Sequence, residues 1–272
     1  MSQNTNPLSA ATPWNLVADG YSRTTMQMLA QYAEAAIAAV NIQPGSCVLD
    51  VACGPGTLAL MVARKAAKVH GIDFSEPMLE ICRRNAEQSS LNNIETQHGD
   101  AQAMPYADNL FDATFSMFGL MFFPDRGKGF AEIYRTLKPG GSIAVTSWAP
   151  VSESPAMQMM FGALRVMKPE ISEPQAAVAS LENPQVFKQE MQDAGFREVK
   201  IDRVRKYFPV ETVEAFWSGM VEGSAPIQML KRSMGEAEWR EKEQLALHYL
   251  HTCLKSLPTT LASDAWLGTA VK

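Results

Sequence analysis

Two glycines and two aspartates are the residues of this sequence whose types and spacing best fit ligand chemistry. Gly54 and Gly56 interrupt an apolar run that contains Asp50, and Asp73 ends the next apolar run. Glycine can adopt φ > 0 and has no Cβ to keep a ligand away from the backbone. An acidic residue at the end of the second strand of a βαβ unit lies beside a ribose and accepts from its hydroxyls. The pattern therefore predicts an adenosine-containing ligand, without separating a dinucleotide from other adenosine compounds.

The elements that must position these residues are apolar strands that alternate with helical patterns. The first apolar run begins at Val48, and later strands are predicted at 68–73, 94–98, 111–117 and 142–147. Five such strands with intervening helices favour a doubly wound α/β fold with a parallel sheet. Ligands of such sheets bind outside the carboxyl ends of the strands, which is where both glycines lie.

Several segments resemble motifs of class I S-adenosylmethionine (SAM)-dependent methyltransferases. These are the D-x-x-C-G-x-G motif at 50–56, G-D-A-x-x-M-P at 99–105, L-K-P-G-G at 137–141, A-G-F at 194–196, and F-G-L-x-x-x-x-D at 118–125, the last in the form typical of ubiquinone and menaquinone biosynthesis. The resemblance extends over about residues 14–272. It implies a Rossmann-like, mostly parallel sheet of seven strands with a helical cap, in which the last strand (265–271) is inserted antiparallel beside the fifth.

The resemblance also assigns roles in binding SAM. Asp100 would accept from the adenine amino group, the Ala101 N–H would donate to the ring, and Tyr21 would close over the methionine end. Asp50 would orient the ammonium group of the cofactor, directly or through water. Its charge would be unfavourable beside a pyrophosphate. The predicted cofactor-binding residues are Tyr21, Asp50, Ala52, Gly54, Gly56, Asp73, Phe74, Met78, Asp100, Ala101, Ser116 and Met117.

The methyl acceptor is predicted to be a hydrophobic small molecule that reacts through an oxygen, carbon or nitrogen nucleophile. The fourth strand is not followed by the Asn/Asp-Pro-Pro-Tyr/Phe motif of enzymes that methylate amines of DNA and proteins, and residues 117–123 and 157–167 are apolar. The predicted acceptor-binding residues are Phe118, Met121, Phe122 and Trp148. No residue is predicted to act as a general base.

The chain is predicted to divide into three parts, and residues 1–13 are expected to be frayed. The parts are an N-terminal lid (1–40), a SAM-binding core (41–150, completed by 185–210 and 262–272) and a helical cap over the acceptor (151–184 and 211–261). Within the cap, residues 212–222 and 226–257 are predicted to form helices.

Composition limits the partners. The net charge of −5 argues against nucleic acid, and neither a signal peptide nor an apolar run long enough to span a membrane is expected. The four cysteines lack metal-ligand spacing and predict reduced thiols in a cytoplasmic protein without a metal. Two alternatives remain open: an NAD(P)-dependent oxidoreductase, and a module that binds SAM without turnover. The oligomeric state is not predicted.

Overall fold

The computed structural model describes residues 6–172 and 180–272. The strands are β1 (Cys47–Val51), β2 (Lys68–Asp73), β3 (Ile94–His98), β4 (Phe111–Met117), β5 (Leu137–Trp148), β6 (Arg197–Val210) and β7 (Thr259–Val271). The α-helices are α1 (Ala11–Arg23), α2 (Thr25–Ala39), α3 (Thr57–Val62), α4 (Glu76–Gln88), α5 (Arg126–Thr136), α6 (Pro155–Met167), α7 (Pro184–Asp193), α8 (Val213–Gly223), α9 (Ala225–Met234) and α10 (Glu236–Cys253). Short 3-10 helices cover Pro7–Ser9, Leu120–Phe122 and Val151–Glu153.

The seven strands of the described residues form one sheet in the order β3-β2-β1-β4-β5-β7-β6. The pairs among β1 to β5 are parallel, and β7 runs antiparallel to both β5 and β6. This arrangement confirms the predicted fold class and the position of the last strand beside the fifth. The strand order reverses between β1 and β4, and ligands of such sheets bind beside this point, at the carboxyl ends of the strands.

Helices cover both faces of the parallel part of the sheet, which explains why its strands read as continuous apolar runs. In β1, Val48 packs with Leu58 and Phe115 on one face, while Leu49 packs with Phe130 on the other. Successive side chains of a strand point to opposite faces. Asp50 therefore faces the same side as Val48, toward α3, and this placement decides its role in the site.

The N-terminal segment is ordered from Asn6 onward, so the expected fraying is wrong for residues 6–13. The Asn6 side chain accepts from the Leu8 N–H at 3.0 Å and caps the first 3-10 helix, in which Pro7 is the first residue. The Trp14 indole N–H donates to the Leu8 carbonyl at 2.9 Å. An Asn-Pro pair is a helix-start signal, and the tie to Trp14 holds the segment on α1. Residues 1–5 lie outside the described part of the chain.

Three other boundaries differ from those predicted. The glycines of the L-K-P-G-G motif do not cap α5, because Leu137 is already extended and Gly140 (φ +79°) lies within β5. Gly235 (φ +76°) divides the helix predicted at 226–257 into α9 and α10. Strand β7 begins at Thr259, because it pairs with the full length of β6.

The helices of the predicted cap share a hydrophobic cluster with the ends of β6 and β7. Helices α6, α8, α9 and α10 contribute residues such as Trp217, Trp239 and Leu250 to it, and the strands contribute Val210 and Leu261. Helix α1 of the N-terminal lid joins this cap to the sheet domain. Val17 and Ala18 of α1 form a small cluster with Met78 of α4 and Ala225 of α9. The lid therefore packs on the core domain and on the cap at the same time. Residues 173–179 of the cap lie outside the described residues.

Candidate functional site

A cleft of about 270 Å³ opens at the carboxyl ends of β1, β2 and β4. Its lining consists of Leu8, Ser9, Trp14, Tyr21, Ala52, Gly54, Ile72, Asp73, Phe74, Met78, Gly99, Asp100, Ala101, Gln102, Met117, Phe118, Gly119, Phe122, Phe123 and Pro124. The polar side chains lie on the β1, β2 and β3 side, and aromatic side chains follow β4. The cleft thus has a polar half suited to a nucleoside and an apolar half beside it.

The turn after β1 presents its backbone to this cleft. Gly54 has φ +52°, and a Cβ built at this position would meet no atom within 4 Å, so the space in front of the turn is open. Gly56 has φ +88°, but its Cβ would lie 2.6 Å from the Cys82 sulfur of α4. Gly54 therefore faces the ligand space, whereas Gly56 allows α3 and α4 to approach each other.

Asp73 connects the turn to the helix that follows β2. Its Oδ2 accepts from the Gly54 N–H and its Oδ1 from the Ser75 N–H, both at 2.9 Å. Ser75 in turn accepts from the Met78 N–H at 3.4 Å and caps α4. Burial raises the pKa of Asp73 to about 6, despite these backbone donors. Each carboxylate oxygen has more than one lone pair, so Asp73 can still accept from ligand hydroxyls.

Asp50 carries a buried carboxyl oxygen without a donor. Its Oδ2 accepts from the Ala59 N–H at 3.1 Å, while Oδ1 has no hydrogen-bond partner among the described residues. The side chain is 1% exposed, and this burial raises its pKa to about 8. A buried unpaired acceptor is costly, because desolvation is not compensated. Oδ1 can therefore accept from a further donor, which the described residues do not supply.

The N-terminal lid covers the cleft with two aromatic rings. The Trp14 ring centroid lies 6.3 Å from that of Tyr21 and 5.2 Å from that of Phe122, which also lines the cleft. Burial, and then the neighbouring Asp73 carboxylate, raise the pKa of the Tyr21 phenol. Tyr21 thus lies beside Asp73, the residue predicted to bind the ribose, and its phenol remains protonated at neutral pH.

The loop after β3 is fixed by its own hydrogen bonds. Asp100 Oδ1 accepts from the Gln102 N–H at 2.8 Å, and Gln102 Oε1 accepts from the Asp125 N–H at 2.9 Å. The ring of His98 places Nε2 3.0 Å from the Phe74 carbonyl oxygen. His98 therefore holds the loops that flank the cleft and does not line it.

The backbone after β4 adopts an uncommon conformation at the apolar end of the cleft. Phe118 has φ +57°, and Ala52, which lies opposite it after β1, has φ +56°. Positive φ at non-glycine residues costs energy and is concentrated at functional sites. The Phe118 N–H donates to Thr146 Oγ1 at 3.0 Å, and its ring stacks on Trp148 with centroids 4.0 Å apart. These contacts hold the conformation in place.

Most of the predicted site residues line the cleft. The lining residues among the predicted cofactor ligands are Tyr21, Ala52, Gly54, Asp73, Phe74, Met78, Asp100, Ala101 and Met117. Phe118 and Phe122 of the predicted acceptor site also line it.

Five predicted site residues lie behind the lining. Asp50 and Gly56 are turned toward α3 and α4. Ser116 is fully buried, and its hydroxyl has no partner among the described residues. The Met121 sulfur lies 3.8 Å from the Ser147 hydroxyl, and Trp148 packs between Phe118 and Tyr32. Each of them supports residues of the cleft wall.

The other lining residues were not among the predicted site residues. They are Leu8, Ser9, Trp14, Ile72, Gly99, Gln102, Gly119, Phe123 and Pro124. The Asn6-Pro7 helix start was a usable signal that Leu8 and Ser9 are ordered. All lining residues fall within 8–124, so no described residue of the predicted acceptor cap (151–184 and 211–261) lines this cleft.

Two expected absences can be compared with the described residues. No group of three or more His, Cys, Asp or Glu side chains among them is arranged to hold a metal ion. None of the helices in the described ranges combines the length and the apolar character that crossing a membrane requires.

Most of the residues that line this cleft lie in a segment that is similar to a known domain family. Residues 48–141 match the family model described as "Methyltransferase domain". The demethylmenaquinone methyltransferase of Listeria welshimeri is 41% identical over 108 residues, which cover 39% of this chain and 46% of that protein. The chain therefore spans about half the length of the curated relatives that it matches.

Solved structures share the architecture at low identity. The YcgJ protein of Bacillus subtilis is 19% identical, with a TM-score of 0.54 over 88% of this chain and 97% of that one. Phosphoethanolamine N-methyltransferase 2 of Haemonchus contortus, solved with S-adenosyl-L-methionine, is also 19% identical, with a TM-score of 0.55 over 89% of this chain and 52% of that one. Together with the domain match, these similarities confirm the resemblance to class I methyltransferases and their fold.

Proposed function

We propose that this chain, built on a methyltransferase domain of class I fold, transfers the methyl group of S-adenosylmethionine to a hydrophobic small-molecule acceptor. The observation that carries the proposal is the buried Asp50 oxygen without a donor behind the open Gly54 turn. A dinucleotide would bring a pyrophosphate to this turn, and a buried carboxyl group would repel it when ionised. The amino-acid half of SAM brings an ammonium group, which a carboxylate attracts.

The residues of the polar half would hold the remaining parts of the cofactor. Asp73, already fixed by two backbone N–H groups, would accept from the ribose hydroxyls. Asp100 and Ala101 would receive the adenine edge, and Phe74 and Met78 would flank its ring. Charge-assisted bonds of this kind are stronger than neutral ones and favour an amino group over a keto group.

The aromatic half would receive the acceptor beside the methyl group. When bound, SAM supplies a methyl group on a sulfonium, and the methyl carbon bonds to the nucleophile as its bond to sulfur breaks, leaving a thioether. Phe118, Phe122 and Trp14 would hold an apolar acceptor in line and exclude water. Alignment alone can provide effective molarities of about 10⁵–10⁸ M. The similarity to a demethylmenaquinone methyltransferase supports a ring-shaped acceptor such as a quinol or phenol.

The proposal is tested with the purified chain and SAM labelled in its methyl group. The acceptor panel contains a quinol, phenols, and small polar amines such as glycine. We expect label transfer to the apolar ring compounds, with S-adenosylhomocysteine (SAH) formed in equal amount. Transfer only to polar amines would contradict the acceptor class. Binding of SAM without transfer to any acceptor would favour a binding module.

Titration calorimetry separates the oxidoreductase alternative. We expect heat from SAM and SAH, and none from NAD or NADP at the same concentrations. The reverse pattern would assign the Gly54 turn to a pyrophosphate and overturn the proposal.

A further inference from the structure

Helix α1 of the lid touches helix α8 of the cap at two glycines, one on each side of the contact. Gly20 lies in α1, directly before Tyr21, and Gly223 is the last residue of α8. A glycine inside a helix costs about 0.5–1 kcal/mol relative to alanine. Its presence in the interior of α1 is explained when something else needs the space of its Cβ.

At Gly20 the space of a Cβ is occupied by backbone atoms of the cap. A Cβ at this position would overlap the Glu222 carbonyl oxygen and lie 2.7 Å from its carbon. Backbone atoms cannot rotate away as the end of a side chain can. The Glu222 side chain also forms an ion pair with Arg23 at 3.1 Å. Helix α1 can therefore approach α8 this closely only with glycine at position 20.

At Gly223 the space of a Cβ is occupied by threonine side chains at the start of α2. A Cβ would overlap the Thr25 hydroxyl and lie 2.5 Å from the Thr24 hydroxyl. The Thr25 hydroxyl donates to the Gly223 carbonyl at 3.3 Å, and the Thr24 hydroxyl donates to the Gly20 carbonyl at 2.9 Å. The two glycines thus share one network of contacts between the lid and the cap.

This contact is continuous with the cleft. Tyr21, the residue after Gly20, lines the cleft, and so does Trp14, two turns earlier on the same face of α1. Both pack in the cluster that contains Met78 of the cleft wall and Ala225, the first residue of α9. Any displacement of α1 from α8 would move the two aromatic rings relative to Asp73 and Phe122.

We propose that Gly223 of the cap and Gly20 of the lid are positioning residues, which let the cap seat Tyr21 and Trp14 on the cofactor cleft. Gly223 would then act on a ligand that it does not touch. This inference rests on the proposed function, because its ligand is the SAM product SAH. It concerns a different part of the chain, so the two can fail separately.

The matched pair of variants is Gly223→Ala and Gly219→Ala. Both lie in α8, and a Cβ at 219 would meet no atom within 4 Å. Calorimetry with SAH well below the melting temperature should show a loss of about tenfold or more for Gly223→Ala, since small misplacements can cost up to about a hundredfold. Gly219→Ala should bind within about twofold of the unchanged protein. Equal affinities of the two variants, both folded, would overturn the proposal.

Rescue distinguishes positioning from general damage. Replacing the threonines in the variant Thr24→Ala/Thr25→Ala removes both hydroxyls that a Cβ at 223 would meet. In this background Gly223→Ala should cost little SAH affinity. A loss as large as in the unchanged background would count against the contact as the cause.

Hydrogen exchange tests the coupling even if Gly223→Ala folds poorly or SAH does not bind. SAH should slow amide exchange in both 11–23 and 219–225 of the unchanged protein. Protection of α1 without α8 would overturn the proposal. Without ligand, Gly223→Ala should speed amide exchange in residues 11–23, whereas Gly219→Ala should not. Equal exchange rates in the two variants would also overturn the proposal. Failure of the unchanged protein to bind SAH, with the ligand-free result as expected, would reject the proposed function while the coupling stands.

Discussion

The Asp73 carboxylate accepts the Gly54 N–H at 2.9 Å, so the end of β2 fixes the turn that follows β1. Its other oxygen accepts the Ser75 N–H at the start of α4. One side chain therefore sets the geometry of the glycine turn and of the helix that flanks the cleft. A residue in this position affects ligand binding twice, through its own contacts and through the backbone that it holds.

Asp73→Asn should weaken SAH binding by about 1.5–3 kcal/mol, the range for hydrogen bonds to a charged group. The amide retains one acceptor oxygen, but its other end donates and no longer matches the second backbone N–H. Calorimetry measures the loss. Asp19→Asn is the control, because this carboxylate of α1 is 76% exposed and lies outside the cleft lining. Unchanged affinity in Asp73→Asn would mean that the ribose does not lie beside β2.

Asp50→Asn should weaken binding of ligands that carry the amino-acid half of the cofactor. The asparagine oxygen can still accept from the Ala59 N–H, but the group that attracts an ammonium is lost. We expect weaker binding of SAH and unchanged binding of methylthioadenosine, which has no amino-acid half. Equal losses for both ligands would show that Asp50 supports the turn and does not attract the ammonium.

The same substitution should change the pH dependence of stability. Burial raises the pKa of Asp50 in the folded protein from 3.8 to about 8. Between these values the folded state binds more protons than the unfolded chain, so the free energy of unfolding falls as pH rises. The melting temperature of the ligand-free protein should therefore fall more steeply between pH 6 and 9 than that of Asp50→Asn. Parallel declines would contradict the buried, unpaired state of this carboxyl.

The sheet and the polar half of the cleft could be predicted because local signals and burial agree there. Strands covered on both faces read as apolar runs, and the strand-end positions of Asp73 and Asp100 bring them to one edge. The motif that contains Gly54 marks the turn. None of these inferences depends on knowing which way an individual side chain points.

The inner wall and the lid could not be predicted, because they depend on side-chain direction and on contacts distant in sequence. Asp50 lies in a motif, but the alternation of β1 turns it toward α3, behind the Gly54 turn. Trp148 was predicted to bind the acceptor, yet it is the last residue of β5 and is covered by Phe118. The contact of Gly20 with the Glu222 backbone joins residues about two hundred positions apart and leaves no local pattern in the sequence.

Phe122→Ala should raise the KM for the acceptor and leave SAH affinity nearly unchanged. The ring lies at the apolar end of the cleft and packs against Trp14 at 5.2 Å, a contact worth about 0.5–1.5 kcal/mol. Steady-state kinetics and calorimetry measure the two effects. Tyr207→Ala is the control, because this ring is 58% exposed on β6. A larger effect on SAH than on the acceptor would assign Phe122 to the cofactor.

Asp264→Asn should destabilise the long β6-β7 pair without changing SAH affinity. Asp264 is fully buried and accepts from the Arg205 and Arg203 guanidinium groups, which hold its pKa below the usual range. Its stabilisation is present at pH values above the unfolded pKa of 3.8 and is lost as pH falls through the lower folded value. Urea unfolding at pH 7 should show a loss of about 1–3 kcal/mol, which shrinks below pH 4.

The control for this loss is Glu236→Gln. Its partner Arg240 lies 3.4 Å away, but both side chains are largely exposed, so removing the pair should cost less than about 1 kcal/mol. Both carboxylates are paired with arginine, but only Asp264 is buried from solvent. Its substitution is therefore expected to lower the free energy of unfolding more than that of Glu236. Equal losses in the two variants would mean that the half-exposed arginines leave Asp264 as well solvated as a surface group.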